Sequence, residues 1–264
     1  MKSSSSFHTL LLLAAFSASP VLADEPLPQT LMTERGKLLL SEDFAKPVAT
    51  AALPAPAAKG AAKATAKPAD DTAAPKPAAA APRAAWTTGW RLRPGKWEFT
   101  DGAMQGSEQK ADLHGAVARF PFKFKDAVMQ YDVRLDGCRM TTFSVNDAKE
   151  HVCRVLLNQD GFRAQKDDHD HDGPDKGKPF NTVVAPPVPG TWQTVLIEIK
   201  GEDLVATING KSSAGTDPLI ATEKANFGFT VAGESASFRN LRVWEALPNP
   251  NWPANKKLIP AAKP

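Results

Sequence analysis

"DAVMQYDVRLDG", residues 126–137, sets Val128, Gln130, Asp132 and Arg134 in strict alternation with Ala127, Met129, Tyr131, Val133 and Leu135. A period of two places one set on each side of a sheet, so the segment reads as a half-buried strand. The segments on either side repeat the signal. "RMTTFSV" (139–145) and "EHVCRVLLN" (150–158) flank the turn-rich Asn146-Asp147-Ala148-Lys149 and read as a hairpin. "TWQTVLIEIKG" (191–201) and "DLVATING" (203–210) follow, and Asn209-Gly210 is a two-residue hairpin signal because both positions tolerate positive φ. "ANFGFTVAGESASFRNLRVWEA" (225–246) adds two strands, and no amphipathic helix interrupts the series. The prediction is an all-β chain of about ten to thirteen strands folded as a two-sheet sandwich.

Upstream, "GKLLLSEDF" (36–44) places Leu38, Leu40 and Phe44 on one face and Leu39, Ser41 and Asp43 on the other. It is separated from the main body, residues 86–247, by residues 46–85, which are almost entirely Ala, Pro, Lys and Thr. Such a composition cannot offset its own ordering entropy and predicts a disordered linker. Lengthening a loop from about five residues to about forty costs only about 2 kcal/mol in closure entropy. Burial of two leucines and a phenylalanine returns roughly 1.5–3 kcal/mol each. Residues 24–45 are therefore expected to bring the first strand of the sandwich, with the linker as an internal excursion. Residues 248–264 read as an extended tail.

Lys2, the apolar run Leu10–Phe16 and the small residues around Val21-Leu22-Ala23 read as a signal peptide over residues 1–23. That run is well short of the roughly 20 residues needed to cross a bilayer. No membrane span and a periplasmic or secreted location are expected. The formal charge of +3 belongs to the ends and the linker, since acidic groups exceed basic ones by about two between Trp86 and Leu247. No nucleic-acid partner is expected from such a surface. If the central hairpin turns about Asp147-Ala148, Cys153 faces Thr142 and Cys138 faces Leu157, about 13 Å apart at 3.3 Å per residue. That is too far for a disulfide, and two reduced, buried cysteines are expected.

The order "SEDF" (41–44), "WRLRPGKWEFTDGAMQG" (90–106), "AVMQYDVRLDG" (127–137), "PGTWQTVLIEIKGEDLVATINGK" (189–211) and "FGFTVAGESASFRNLRVWE" (227–245) resembles the 3-keto-disaccharide hydrolase family of the concanavalin A-like lectin and glucanase superfamily. The resemblance implies a jelly-roll, concanavalin A-like sandwich whose first strand pairs near its last. It also implies a carbohydrate or glycoside substrate. The alternative on the same fold is a non-catalytic glycan-binding or cell-envelope module. Where typical members carry a strand resembling G-Y-E-V-Q-I, this chain has "EHVCRVLLNQDGFRAQKDDHDHDGPDK" (150–176).

Three readings of that acidic, histidine-bearing stretch stand side by side. Asp168, Asp170 and Asp172 followed by Gly173 reproduce the D-x-D-x-D-G opening of a calcium loop, though the twelfth position is Pro179 rather than glutamate. His169 and His171 stand two apart, a spacing that suits another divalent metal or a catalytic site. A solvated acidic loop that keeps sheet edges apart is the third. No cofactor is otherwise implied. Asp170, His171 and His151 are the candidate catalytic groups, while Arg154, Arg163, Lys166 and His114 are candidates for binding substrate. Of the tryptophans, Trp86 and Trp90 are candidates for stacking on sugar, and Trp97 and Trp192 for the core.

Overall fold

A computed structural model of the chain describes residues 27–44, 89–173 and 176–261. The expected signal peptide, the whole of the expected linker and Trp86 lie outside the described residues. Among the described residues, fifteen strands form two antiparallel sheets: β1 (Thr33–Glu42), β2 (Arg91–Leu92), β3 (Lys96–Thr100), β4 (Ala103–Ser107), β5 (Ala116–Phe124), β6 (Ala127–Leu135), β7 (Cys138–Asn146), β8 (His151–Asn158), β9 (Gly161–Lys166), β10 (Lys178–Val184), β11 (Gln193–Lys200), β12 (Asp203–Ile208), β13 (Lys211–Thr216), β14 (Lys224–Gly233) and β15 (Ala236–Pro248). Sheet A runs β13-β12-β11-β6-β15-β4-β3, with β1 also paired to β15. Sheet B runs β10-β9-β8-β7-β14-β5-β2. The chain is an all-β, two-sheet jelly-roll sandwich.

The core between the sheets is aromatic. Phe143, Phe227 and Phe229 from sheet B meet Tyr131 and Phe238 from sheet A, and all five are buried. Phe229 stacks on Phe238 with ring centroids 4.0 Å apart, and Tyr131 stacks on Phe143 at 5.2 Å. The even phase of β6 fares differently from the half-buried expectation: Val128, Gln130 and Asp132 are buried too. Two things cover them. Val128 packs with Leu196, Trp244 and Ala246 in a second, smaller cluster, and Asp132 accepts hydrogen bonds from Thr194, Arg239 and Asn240.

Three further expectations are corrected. β1 begins at Thr33, and Leu38 and Leu39 are 47% and 39% exposed, so Leu38 is not a core residue. Two register shifts in the β1–β15 pairing break the simple alternation, and of the chosen apolar trio only Phe44 is fully buried. The β7–β8 hairpin pairs Thr141 with Leu157 and Val145 with Cys153, three positions away from the expected register, because the turn spans four residues between Asn146 and His151. Asp147 Oδ1 accepts from the N–H groups of Lys149 and Glu150 and fixes that longer turn. Both cysteines are free and buried. The described residues beyond β15 are not extended throughout: Trp252–Asn255 form one helical turn (α1), where the Trp252 indole donates to Asp203 and Asn255 donates to the carbonyl of Leu31. At the β12–β13 turn, Asn209 and Gly210 have φ of 50° and 72°, as their types require.

Besides its ladder with β15, β1 is anchored at its start by a carboxylate. Glu198 of β11 is fully buried and accepts from Leu31 N, Met32 N, Thr33 N and Thr33 Oγ1 at 2.7–2.9 Å. These charge-assisted bonds are the strong class. Glu198→Gln would set an amide NH2 among these donors, leaving part of the set unsatisfied, at a cost of about 2–4 kcal/mol. Chemical denaturation is expected to register that loss, and a change below about 0.5 kcal/mol would contradict the assignment.

Candidate functional site

The face of sheet B turned away from the core is built by default. Because the phenylalanines of β7 and β14 and Val155 of β8 point inward, the alternate positions point out. The register aligns Arg119 of β5 with Gly228 of β14, then Ser144 of β7, Arg154 of β8 and Gln165 of β9. Toward the Lys224 end of the sheet the next positions are Asn226, Asn146 and His151. Toward the other end come Leu156 and Arg163, then Met140 and Asn158.

Gly228 lets Arg119 lie close over the sheet. A Cβ there would sit 1.9 Å from the carbonyl oxygen of Ala118, and Arg119 Nη1 donates to that oxygen and to Phe229 O, each at 3.2 Å. Burial lowers the Arg119 guanidinium to about 10, with Arg154 pulling the same way and Glu150 opposing. It stays protonated at neutral pH. Arg154 Nε lies 2.5 Å from Asp167 Oδ2 in an ion pair without hydrogen-bond alignment. Burial pushes the Asp167 carboxyl up, while Arg154 pulls against it. Gln165 links Asp167 to Arg163, donating to the first at 3.4 Å and accepting from the second at 3.3 Å.

His151 sits at the head of this face. Burial lowers its imidazole to about 4, helped by the positive charges of Arg154 and Arg119 and opposed by Glu150. The ring is therefore neutral near pH 7. Its Nδ1 lies against Asn146 Oδ1, and Asn146 Nδ2 donates to Asn226 Oδ1 at 2.5 Å. An amide oxygen at Nδ1 selects the tautomer with hydrogen there, leaving the lone pair on Nε2. Glu150 Oε1 lies 3.4 Å from that Nε2, and Glu150 Oε2 lies 3.3 Å from His171 Nε2. Burial alone would raise Glu150, but the backbone N–H of His151 and the two imidazoles outweigh it and hold the carboxyl below the ordinary glutamate range.

The acidic stretch is now legible as a strap. His169 Nε2 lies 2.7 Å from Asp147 Oδ2, tying residues 167–173 to the β7–β8 turn. Asp168 accepts from His171 N and pairs with Lys176 at 3.6 Å. Asp170 accepts from Asp172 N, and Asp172 from Gly173 N. Each of the three carboxylates serves its own loop, and among the described residues no three His, Cys, Asp or Glu side chains converge on a metal position.

The structure thus brings His151, His171, Arg154 and Arg163 to one face and separates the other candidates from it. Asp170 is exposed and turned into its own loop. Lys166 is only 2% exposed and donates to Lys176 O, because its phase on β9 is that of the core rather than the outer face. His114 precedes β5 next to Ala116, which pairs with Val231, whereas the strap lies at the Lys224 end. About eight residues at 3.3 Å each separate the two ends of β5. Trp90 and Trp97 are buried in the core. Trp192 is not: it is half-buried on the outside of sheet A, with Arg134 and Arg239 at 4.8 and 4.2 Å from its ring centroid. Sequence reading missed Arg119, Asn146, Glu150 and Asp167. The first could have been found by pairing β5 with β14, since Gly228 marks a place where something approaches the backbone closely.

The depressed His151 also has a consequence for stability. Between about pH 6.5 and 4 the unfolded chain binds a proton at this residue that the folded chain does not. Stability therefore falls as pH drops through that window, by at most about 3 kcal/mol. In thermal melts, His151→Gln is expected to flatten the decline over this range, and an unchanged slope would contradict a buried neutral ring.

No helix among the described residues is long and apolar enough to cross a membrane. The chain matches no curated protein. Among solved structures it is similar to the carbohydrate-binding module CBM66 from Bacillus subtilis, at 15% identity and a TM-score of 0.49 over 60% of this chain and 96% of that one. It is also similar to a putative glycosyl hydrolase from Parabacteroides distasonis, at 13% identity and a TM-score of 0.43 over 60% and 88% of the two chains. At those scores neither likeness carries functional weight. The family comparison does: residues 84–244, well over half the chain and including every strand of the outer face just described, match the 3-keto-alpha-glucoside-1,2-lyase-like domain, and the chain belongs to that family.

Proposed function

We propose that this protein cleaves glycosides of 3-keto sugars by elimination across C1 and C2, on the outer face of sheet B. The observation that carries the reading is a neutral imidazole, His151, backed by Glu150 and set beside two guanidinium groups. A ketone at C3 acidifies the hydrogen on C2. His151 Nε2 takes that proton, and the electron pair moves into a C2–C3 enolate whose oxygen needs positive charge. Arg119 and Arg154 supply it from fixed positions, which is the most effective form of such stabilisation. The enolate then reforms the C3 carbonyl, a C1–C2 double bond appears, and the C1–O bond breaks. The departing oxygen recovers a proton from the imidazolium or from water. Glu150, 3.4 Å from Nε2, stabilises the imidazolium in between. Asn146 and Asn226 act as positioning residues that hold the tautomer. Addition of water to the double bond would make the net reaction a hydrolysis.

The test is turnover of a 4-nitrophenyl 3-keto-α-glucoside by the purified full chain. Release of nitrophenol is expected, with kcat/KM lowered about 10²–10⁴-fold in His151→Gln, the span for loss of a general base. Release undiminished in that variant would overturn the role of His151. Saturable binding without any release would replace elimination by the second reading, a glycan-binding module.

A further inference from the structure

The outer face of sheet B is polar only over part of its length. Past Arg154 the outward positions become Leu156 on β8 and Met140 on β7, both half-buried though the core lies on the opposite side of the sheet. With Val184 they form the apolar floor of a recess of about 190 Å³, whose rim carries the polar Asn158, Asp160, Arg163 and Thr182. Val184 is 74% exposed. Nothing in the packing of the sandwich calls for these apolar side chains, since Phe143, Val155 and Leu157 already fill the inward phase of the same strands.

We propose that this recess is the subsite for an aromatic aglycone, the group attached at C1 of the sugar. The inference rests on reading the neighbouring polar row as the sugar site. Leu156 follows Arg154 by two residues, about 6.6 Å along the strand. A ring joined through one oxygen to a sugar held at Arg154 comes to rest at that distance. The recess matches a single aromatic ring in size, since an apolar cavity of about 150 Å³ holds benzene. Its apolar floor favours a ring over a second sugar. Hydroxyls placed against Met140, Leu156 and Val184 would lose water without gaining partners, and Asn158 Oδ1 is already taken by the N–H groups of Asp160 and Gly161. Arg163 lies on the border of the two regions, its Nε donating to Gln165 Oε1 at 3.3 Å. A planar guanidinium there offers a stacking surface to an aromatic ring. Met140 adds a thioether, which favours ring edges.

The experiment is a titration of the full chain, labelled with ¹³C at the methionine methyls and assigned by Met140→Leu, with phenyl α-glucoside and separately with methyl α-glucoside. The Met140 methyl is expected to move saturably with the phenyl glycoside through ring-current shift, and to stay in place with the methyl glycoside. Leu156→Asn, with folding checked by its melting curve, is expected to weaken the phenyl response at least about fivefold. An unmoved Met140 methyl, or the same movement with both glycosides, overturns the subsite. These readings need no catalysis. A shifted Met140 methyl in a protein that turns over no 3-keto-glucoside leaves the subsite standing and removes elimination, whereas turnover with an unmoved methyl removes the subsite alone.

Discussion

The stacking of Phe229 against Phe238, 4.0 Å between centroids, joins the two sheets at their centre. Phe143, Phe227 and Tyr131 pack around that contact and are as deeply buried. Because side chains on a strand alternate with a period of two, this cluster sets the phase of β6, β7, β14 and β15 at once. A slip of one residue would drive Ser144, Gly228 and Asp132 into the core and expose the rings. The outer row of Arg119, Ser144, Arg154 and Gln165 is thus a by-product of where the phenylalanines must go. Gly228 is the one position in the row without a side chain, and Arg119 uses the space.

The two guanidinium groups of this face are held in different ways. Arg154 has a partner in Asp167, whose carboxyl is itself pushed up by burial, and Arg119 donates to two backbone carbonyls. Burial keeps His151 neutral, and the two guanidiniums push the same way. A neutral imidazole and two positive charges thus share one face. The strap over residues 167–173 contributes geometry: His169 against Asp147 fixes the turn whose next residues are Glu150 and His151. That answers what the density of aspartates and histidines in "DDHDHD" (167–172) does in the fold: the carboxylates cap backbone N–H groups within the strap, and the histidines fasten it to the hairpin.

The sandwich was legible because alternation is a local property. Residues 126–137 carry it plainly, and Asn209-Gly210 announces its turn in two letters. Register was less legible. The β7–β8 pairing depended on Asp147 capping a four-residue turn, which spacing alone does not reveal. The start of β1 is pinned by hydrogen bonds to Glu198, a residue that looks from sequence like an outward glutamate on a strand. The candidate site residues divided the same way. His151, Arg154 and Arg163 stood out by type, whereas Lys166 fell to the core by phase, and Arg119 needed a strand partner more than 100 residues away.

The proposed reaction puts the sugar on the outer face of sheet B. The outside of sheet A offers the rival surface, with Trp192 between Arg134 and Arg239. A crystal structure of His151→Gln soaked with a 3-keto-α-glucoside decides between them most directly. The expected result is a sugar ring seated over Ser144 between Arg119 and Arg154, with C2 facing position 151. A ring bound against Trp192, with the sheet B row left bare, would contradict it.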